Sequence, residues 1–291
     1  MQEVFDLYNK IKKVSKSNKD IDSISNLFFE LYIKNCEFLS STSQVNLISK
    51  VPTKQYFSFS YNNKISRAVN KGSYIPDQVE VYRIFNNLVN GDYSILSPEE
   101  ITKCLYTISI SFCCTIDLLK QGDQKTPGTF FEYFISHWFS RILELRPTSR
   151  VDVLNLDMRT SLPTDFIYDL GQNKPKIHLP VKTSTRERVI QVWAHQKLLD
   201  GVYGVGRFLG MLVCLTETKV DKKSKEVIEI CVPEQWRLYQ MYIAQMDSIY
   251  YLDVPIKYFE LNNIYPPIRV KQFGEFFYDI QTLIEDGNYN V

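Results

Sequence analysis

Residues 162–182 read LPTDFIYDLGQNKPKIHLPVK, and this stretch decides the fold. Two runs of alternating apolar side chains flank a turn rich in glycine, asparagine and proline, which is the pattern of a β-hairpin. A turn centred near Asn173 and Lys174 places Asp165 opposite Lys182. Directly opposite residues share one face of a sheet, with Cβ atoms about 5 Å apart. The sequence therefore predicts that a carboxylate meets an ammonium group across the two strands.

A carboxylate beside a lysine has a use in phosphodiester hydrolysis. A bound metal ion polarises the phosphate and lowers the pKa of the attacking water, and Mg²⁺ prefers one or two carboxylates together with waters and phosphate oxygens. A neighbouring lysine orients the water and stabilises the charge that develops. The alternative is a cross-strand salt bridge, which stabilises a sheet by about 0.2–1 kcal/mol. The pair alone leaves both interpretations open.

The rest of the chain divides into two regions of different pattern. Residues 1–120 are predicted to be mainly helical, because apolar residues recur at helical spacing and Ser97-Pro98-Glu99-Glu100 is typical of a helix start. Residues 121–291 alternate helices, near 129–145 and 185–199, with strands, near 151–156, 164–170, 176–182 and 209–217. This order predicts an α/β core preceded by a helical N-terminal region that could contribute DNA contacts.

The strand–strand–helix–strand order around the hairpin resembles type II restriction endonucleases of the PD-(D/E)XK superfamily. In that resemblance Pro163-Thr164-Asp165 stands for the PD motif, with Asp165 as a metal ligand, and Lys182 stands for the catalytic lysine. The resemblance covers about residues 128–220. It implies a restriction-endonuclease-like core with a mixed central sheet, Mg²⁺ as the cofactor and double-stranded DNA as the substrate.

The segment after the lysine is most similar to the EcoRII, SsoII and NgoMIV branch of these enzymes. In that branch an arginine–acid–arginine cluster at a helix start reads G·C pairs within CCGG-type or interrupted CC/GG sites. By this resemblance Arg186 and Arg188 contact guanine and Glu187 accepts from cytosine, which agrees with the hydrogen-bonding groups of those bases. Two other interpretations stay open: Ser184 and Glu187 match a capping box, and the arginines also suit a solvated surface.

The second acidic metal ligand departs from the family pattern. Pro180 stands where an acid is usual, and His195 and Gln196 stand where the branch supplies a glutamate. Glu132, in the helix before the strands, is the best remaining candidate, although the helix dipole alone also favours a first-turn glutamate. His195 could ligate a metal or position water, and Gln196 could hold water. Asp169 is less suited, because it lies two pairs nearer the turn.

The composition limits which other classes of protein the chain can belong to. The chain is 44% hydrophobic and 23% charged, and because no stretch approaches 18 consecutive apolar residues, no membrane segment is expected. Six cysteines without CxxC spacing favour reduced thiols, and the first residues lack a signal layout, so a cytoplasmic protein is expected.

One stretch is basic and aromatic. Between Phe38 and Pro76 there are five basic residues and no acidic one, interleaved with tyrosine and phenylalanine. Such a stretch suits phosphate contact with base stacking. A solvated surface over core aromatics is an equal alternative.

We therefore expect a type II restriction endonuclease in which Asp165 and Glu132 hold Mg²⁺ and Lys182 activates the water. A homodimer is expected, because a palindromic site mirrors two-fold protein symmetry. Three alternatives stay open. One is a repair or junction nuclease with the same core that reads DNA shape. The others are a DNA-binding protein that no longer cleaves and an interaction protein without a nucleic-acid partner.

Overall fold

The computed structural model describes residues 2–17, 20–154 and 159–285. The chain forms two compact units. The first contains the residues up to His137 together with Glu217–Ile230, and the second contains Trp138–Thr216 and the residues from Cys231 onward. The predicted division into residues 1–120 and 121–291 stays a prediction.

The first unit is mainly helical. Its helices are α1 (Gln2–Ser17), α2 (Ile21–Ser40), α3 (Gln78–Asn90), α4 (Pro98–Leu119) and α5 (Lys125–Leu143), of which the last six residues belong to the second unit. The predicted helix start is confirmed: Ser97 and Glu100 form a capping box in front of α4, with Pro98 at the first helical position.

Helix α4 has the length and apolar composition of a membrane-spanning segment. However, 89% of its most apolar window is buried within the fold. This is the burial of a core helix, around which the other helices of the unit pack.

Two small sheets complete the first unit. Their strands are β1 (Ser43–Asn46), β2 (Ile48–Ser49), β3 (Tyr56–Tyr61), β4 (Lys64–Ile65), β5 (Val69–Asn70), β11 (Thr218–Val220) and β12 (Glu226–Glu229). The β11–β12 hairpin joins this unit because β12 pairs with β2 and Val227 packs into a small apolar cluster with Leu47 and Tyr56.

The basic and aromatic stretch lies in this unit. Three of its basic side chains form ion pairs within the unit, Lys50 with Glu226, Lys54 with Glu229, and Arg67 with Asp117. Its aromatic residues Tyr56, Phe57 and Phe59 are buried. These side chains therefore have a structural role, as the second interpretation of the stretch expects.

The second unit is built on one mixed sheet of seven strands. These are β6 (Thr148–Leu154), β7 (Arg159–Asp169), β8 (Lys176–Leu179), β9 (Val181–Lys182), β10 (Phe208–Cys214), β13 (Ser248–Tyr251) and β14 (Val270–Gln272). The order is β14-β13-β10-β8-β7-β6, with β9 continuing β8 beside β10. Strands β6, β7 and β8 pair antiparallel, and the pairs from β8 and β9 through β10 and β13 to β14 are parallel.

Helices cover both faces of this sheet, as a buried parallel sheet requires. On one face, α6 (Ile190–Tyr203) and α7 (Pro233–Tyr242) contribute Trp193 and Trp236 to a core that includes Leu212 and Tyr251. On the other face, Phe139 of α5 stacks on Phe276 of α8 (Phe276–Glu285), with ring centroids 3.9 Å apart.

The hairpin register differs from the prediction. Phe166 pairs with Leu179 and Ile167 with His178, so the same register carried one residue further places Asp165 opposite Pro180 instead of Lys182. The prediction of the register was therefore wrong by two residues. The reason is a loop that turns one residue earlier than assumed, with Gly171 and Asn173 at positive φ. A shift of two residues keeps every side chain on its face, so Lys182 becomes a diagonal neighbour of Asp165.

Gly210 of β10 offers a test of the packing between the sheet and α6. A Cβ there would lie 2.7 Å from the Met246 sulfur and 2.9 Å from Gln196 Oε1. We expect Gly210→Ala to lower the free energy of unfolding by about 1–3 kcal/mol, as overpacking does. Gly201→Ala in α6, where a Cβ meets nothing within 4 Å, is the control. It should raise stability by about 0.5–1 kcal/mol. Equal effects in urea denaturation would contradict this account.

Candidate active site

Asp165 and Lys182 meet where the pairing of β7 with β8 ends. Backbone pairing between β7 and β8 ends at Phe166 and Leu179. Beyond this point the Asp165 side chain, and not the β7 backbone, accepts hydrogen bonds from the neighbouring strand. Its Oδ2 accepts from the Val181 N–H at 2.9 Å and from the Lys182 ammonium. The two side chains predicted from the sequence are therefore in direct contact.

This ion pair is open to solvent. The side chains of Lys182 and Asp165 are 32% and 23% exposed. Both hydrogen bonds end on Oδ2, and within the described residues no donor reaches Oδ1. Oδ1 is therefore the oxygen that an incoming cation or water can approach.

A buried polar network lies on the same sheet face, beneath α6. His178 is 1% exposed, and its Nδ1 lies 3.0 Å from Gln196 Oε1. The Gln196 amide nitrogen donates to Asp200 at 3.0 Å and to the Phe208 carbonyl at 2.9 Å. All polar atoms of the Gln196 side chain are thus engaged. In the structure Gln196 supports His178, and a role for Gln196 in holding water stays a prediction.

Electrostatics keep His178 uncharged. Burial is the main cause that lowers its pKa to about 4, and the nearby His195 and Lys182 act in the same direction, against Gln196 and Asp165. His195 itself is partly buried, with its ring centroid 6.4 Å from that of His178. The two imidazoles therefore lie near each other.

The helix after Lys182 begins further along the chain than predicted. Arg186–Val189 form a 3-10 turn, and α6 begins only at Ile190 without a side-chain cap. The capping box of Ser184 and Glu187 involves the Glu187 side chain, which lies outside the described part of the chain, so it stays a prediction.

The base-reading candidates lie in this turn. Arg186 is exposed and has a backbone φ of 43°, a region that non-glycine residues adopt at a cost of order 1–3 kcal/mol. The side chains of Glu187 and Arg188 lie outside the part of the chain that the structure describes. Their role in base reading stays a prediction.

Glu132 lies in the first unit, in α5. It lies close enough to Tyr8 and Tyr133 to act on both phenols. Burial first, and then Tyr133, Asp123 and Glu132, raise the pKa of Tyr8 to about 12. Burial and Glu132 also raise the pKa of Tyr133. A metal-binding role for Glu132 stays a prediction.

The donor groups near Asp165 fit a hard divalent cation only in part. In the described ranges no group of three or more His, Cys, Asp or Glu residues could hold a metal. Asp165 offers one carboxylate, which matches the usual protein contribution to a Mg²⁺ site of one or two carboxylates. Pro180 offers no side-chain ligand. Any further protein ligand must come from another residue.

Comparisons with known proteins bear on the fold. No family model matches the chain, and no curated protein matches it either. The chain is similar to the crystal structure of the type IIP restriction endonuclease Kpn2I, with a TM-score of 0.83 and 25% identity over 98% of this chain and 99% of that chain. A complex of the restriction endonuclease PspGI with substrate DNA gives a TM-score of 0.42 at 15% identity, over 72% and 76% of the two chains.

The predicted α/β restriction-endonuclease fold is therefore confirmed. The neighbour Kpn2I is a type IIP restriction endonuclease, which agrees with the expected resemblance at the level of type II enzymes. The more specific EcoRII, SsoII and NgoMIV branch stays a prediction.

Sequence reasoning did not single out His178. One signal was available, because the strand alternation places residues 178, 180 and 182 on one face, and Lys182 was already assigned there. The partner Gln196 is 18 residues away and on another element. Its contact with His178 could not be deduced from local pattern.

The buried neutral His178 predicts a pH dependence of stability. Because its folded pKa is about 4 and its usual pKa 6.5, the unfolded chain binds more protons between these values. Stability should therefore fall as pH drops from about 6.5 to about 4, by up to about 3 kcal/mol from this residue.

The measurement is urea denaturation of wild type and His178→Gln at several pH values. The difference isolates His178 from Asp247, whose pKa burial raises to about 6 and which acts with the opposite sign. A wild-type-minus-variant difference that is constant from pH 7 to pH 4 would contradict the assignment.

Proposed function

We propose that this chain is a type II restriction endonuclease that cleaves double-stranded DNA at a specific site in a Mg²⁺-dependent reaction. The observation that carries the proposal is the contact between Asp165 and Lys182. This pair lies where β7 and β8 part in the central sheet, in a fold that matches Kpn2I over almost the full length of both chains. A salt bridge with only a structural role would not need to lie at this position of the fold.

The residues have distinct roles in the proposed reaction. Asp165 holds the cation through Oδ1, the oxygen that the Val181 N–H and Lys182 leave open. Lys182 is held within reach of the same carboxylate, so its ammonium can orient an attacking water and stabilise the charge on phosphate. When bound, Mg²⁺ would polarise the phosphate and lower the pKa of its water. His195, whose ring lies 6.4 Å from that of His178, is the candidate for positioning water.

The 3-10 turn is the proposed base-reading element. Arginine can donate two parallel hydrogen bonds to guanine O6 and N7, and glutamate can accept from the cytosine amino group. Arg186, Glu187 and Arg188 supply these groups in that order. The strained backbone of Arg186 supports a functional role, because such strain is concentrated at functional sites. We infer a CCGG-like or interrupted CC/GG site.

The proposal extends to assembly and location. A homodimer fits a palindromic target, and a cytoplasmic location fits six cysteines that form no disulfide in the described residues. A repair or junction nuclease with the same core is the alternative, and cleavage at one defined sequence excludes it. The missing acid at Pro180 favours one further candidate, a DNA-binding protein that no longer cleaves.

Cleavage can be tested with a matched pair of variants in the same hairpin. The purified protein is incubated with phage-length DNA and Mg²⁺, and the fragment ends are sequenced. Asp165→Asn and Lys182→Ala should each lower the rate at least about a hundredfold, the scale of losing a group that stabilises transition-state charge.

The controls are Asp169→Asn and Lys176→Ala. These remove an ion pair of 2.7 Å nearer the turn of the same strands, so cleavage should change little. DNA that stays intact with both Mg²⁺ and Mn²⁺, from folded protein, would favour the non-cleaving candidate. Cleavage at a site without adjacent G·C pairs would exclude the CCGG-like specificity.

A base contact of Arg186 can be distinguished experimentally from a general effect of its positive charge. In the Asp165→Asn background, Arg186→Lys keeps the positive charge and loses the two-pronged donor. We expect binding to the mapped site to weaken by about 1–3 kcal/mol, with little change on unrelated duplex. Fluorescence anisotropy with both duplexes measures this difference. An equal loss on both would identify Arg186 as a phosphate contact instead.

A further inference from the structure

The ion-pair site contains a nitrogen donor that the roles above do not use. His178 lies on the same sheet face as Asp165 and is its diagonal neighbour across β7 and β8. Diagonal neighbours are about 7–8 Å apart in the backbone. One cation can span this separation by binding a carboxylate oxygen on one side chain and an imidazole nitrogen on the other.

The hydrogen bonds of Gln196 fix its amide orientation. Its nitrogen donates to two pure acceptors, the Asp200 carboxylate and the Phe208 carbonyl. The amide oxygen must therefore face His178 Nδ1, as the 3.0 Å contact has it. Because an amide oxygen only accepts, Nδ1 must carry the hydrogen.

The tautomer of His178 follows from this contact. A neutral imidazole with its hydrogen on Nδ1 has a free lone pair on Nε2. The ring is 1% exposed, and burial disfavours the charged form of an imidazole. A neutral imidazole whose other nitrogen donates to a fixed acceptor is the form in which histidine binds metals in proteins.

Gly210 keeps this arrangement in place. A side chain at this position would collide with Gln196 Oε1 at 2.9 Å. The glycine thus leaves room for the amide that orients His178. In the β7–β8 register His178 is a diagonal neighbour of Asp165, so the His178 backbone lies about 7–8 Å from that of the proposed metal ligand.

We propose that Nε2 of His178 is the second protein ligand of the divalent cation that Asp165 holds, in place of the acid that Pro180 does not supply. Gln196 is then a positioning residue that acts through His178. This inference rests on the proposed function. Because Mg²⁺ prefers oxygen ligands and tolerates an imidazole nitrogen less well than Mn²⁺ does, the site should bind Mn²⁺ more tightly than Mg²⁺.

Pulsed electron paramagnetic resonance of bound Mn²⁺ tests the proposal directly, without relying on cleavage. The full chain is loaded with Mn²⁺, once unlabelled and once with ¹⁵N-histidine. A nitrogen coupling that changes with the label identifies a bound imidazole. The chain has only three histidines, so the assignment needs few variants. We expect the coupling in wild type and in His195→Gln, and its loss in His178→Ala.

Affinity gives a second readout. His178→Ala should weaken Mn²⁺ binding at least about tenfold, and Gln196→Leu should weaken it by about 10–100-fold, as loss of an orienting partner does. Gln196→Glu keeps an acceptor for Nδ1 and should retain the nitrogen coupling. Glu132→Gln should leave the coupling unchanged.

The outcomes separate this inference from the proposed function. Absence of nitrogen coupling in wild type overturns it, whether or not the variants fold. A coupling that survives His178→Ala and disappears in His195→Gln also overturns it and assigns the ligand to His195. If either result occurs while DNA is still cut in an Asp165-dependent way, the proposed function stands and only the histidine ligand fails.

Discussion

The carboxylate of Asp165 connects the backbone and the chemistry of the second unit. One oxygen accepts from the Val181 amide, which fixes where β9 leaves the hairpin, and from the Lys182 ammonium. Hydrogen bonds to an ionised acceptor are roughly twice as strong as those between neutral groups. The position of Lys182 is thus set by the same contact that ends the pairing of β7 with β8. The turn that carries Arg186 follows directly from this point, so its direction also depends on that carboxylate.

Much of this arrangement could be predicted from the sequence because its determinants are local. The alternation of residues 162–182 and the turn residues between the runs define a hairpin without knowledge of the rest of the chain. The register could not be predicted, because composition does not show which of Gly171 and Asn173 starts the reversal, and both adopt positive φ. The error was two residues, which preserves the faces. The predicted contact between Asp165 and Lys182 is therefore present, although the predicted pairing of the two strands was wrong.

The non-local parts of the site had no such signature. The contact between His178 and Gln196 depends on how closely α6 approaches the sheet, and that approach depends on the absence of a side chain at Gly210. The 3-10 turn at Arg186–Val189, which delays the start of α6 to Ile190, was also not predicted from the sequence. Sequence reasoning thus located the hairpin that carries the proposed catalytic pair. It did not find the helix contacts that orient the histidine beside it.

The charges around Asp165 have a consequence for how the proposed enzyme would bind its metal. The carboxylate is paired with the Lys182 ammonium, and His178 is neutral, so these three groups together carry almost no net charge. A divalent cation placed there lacks the excess negative charge that two carboxylates would provide. A DNA phosphate brings such a charge and also oxygen ligands that Mg²⁺ prefers. In the proposed reaction, cation and DNA then increase each other's affinity for the site, because linkage between two ligands is reciprocal. With Pro180 in place of an acid, the substrate itself completes the site.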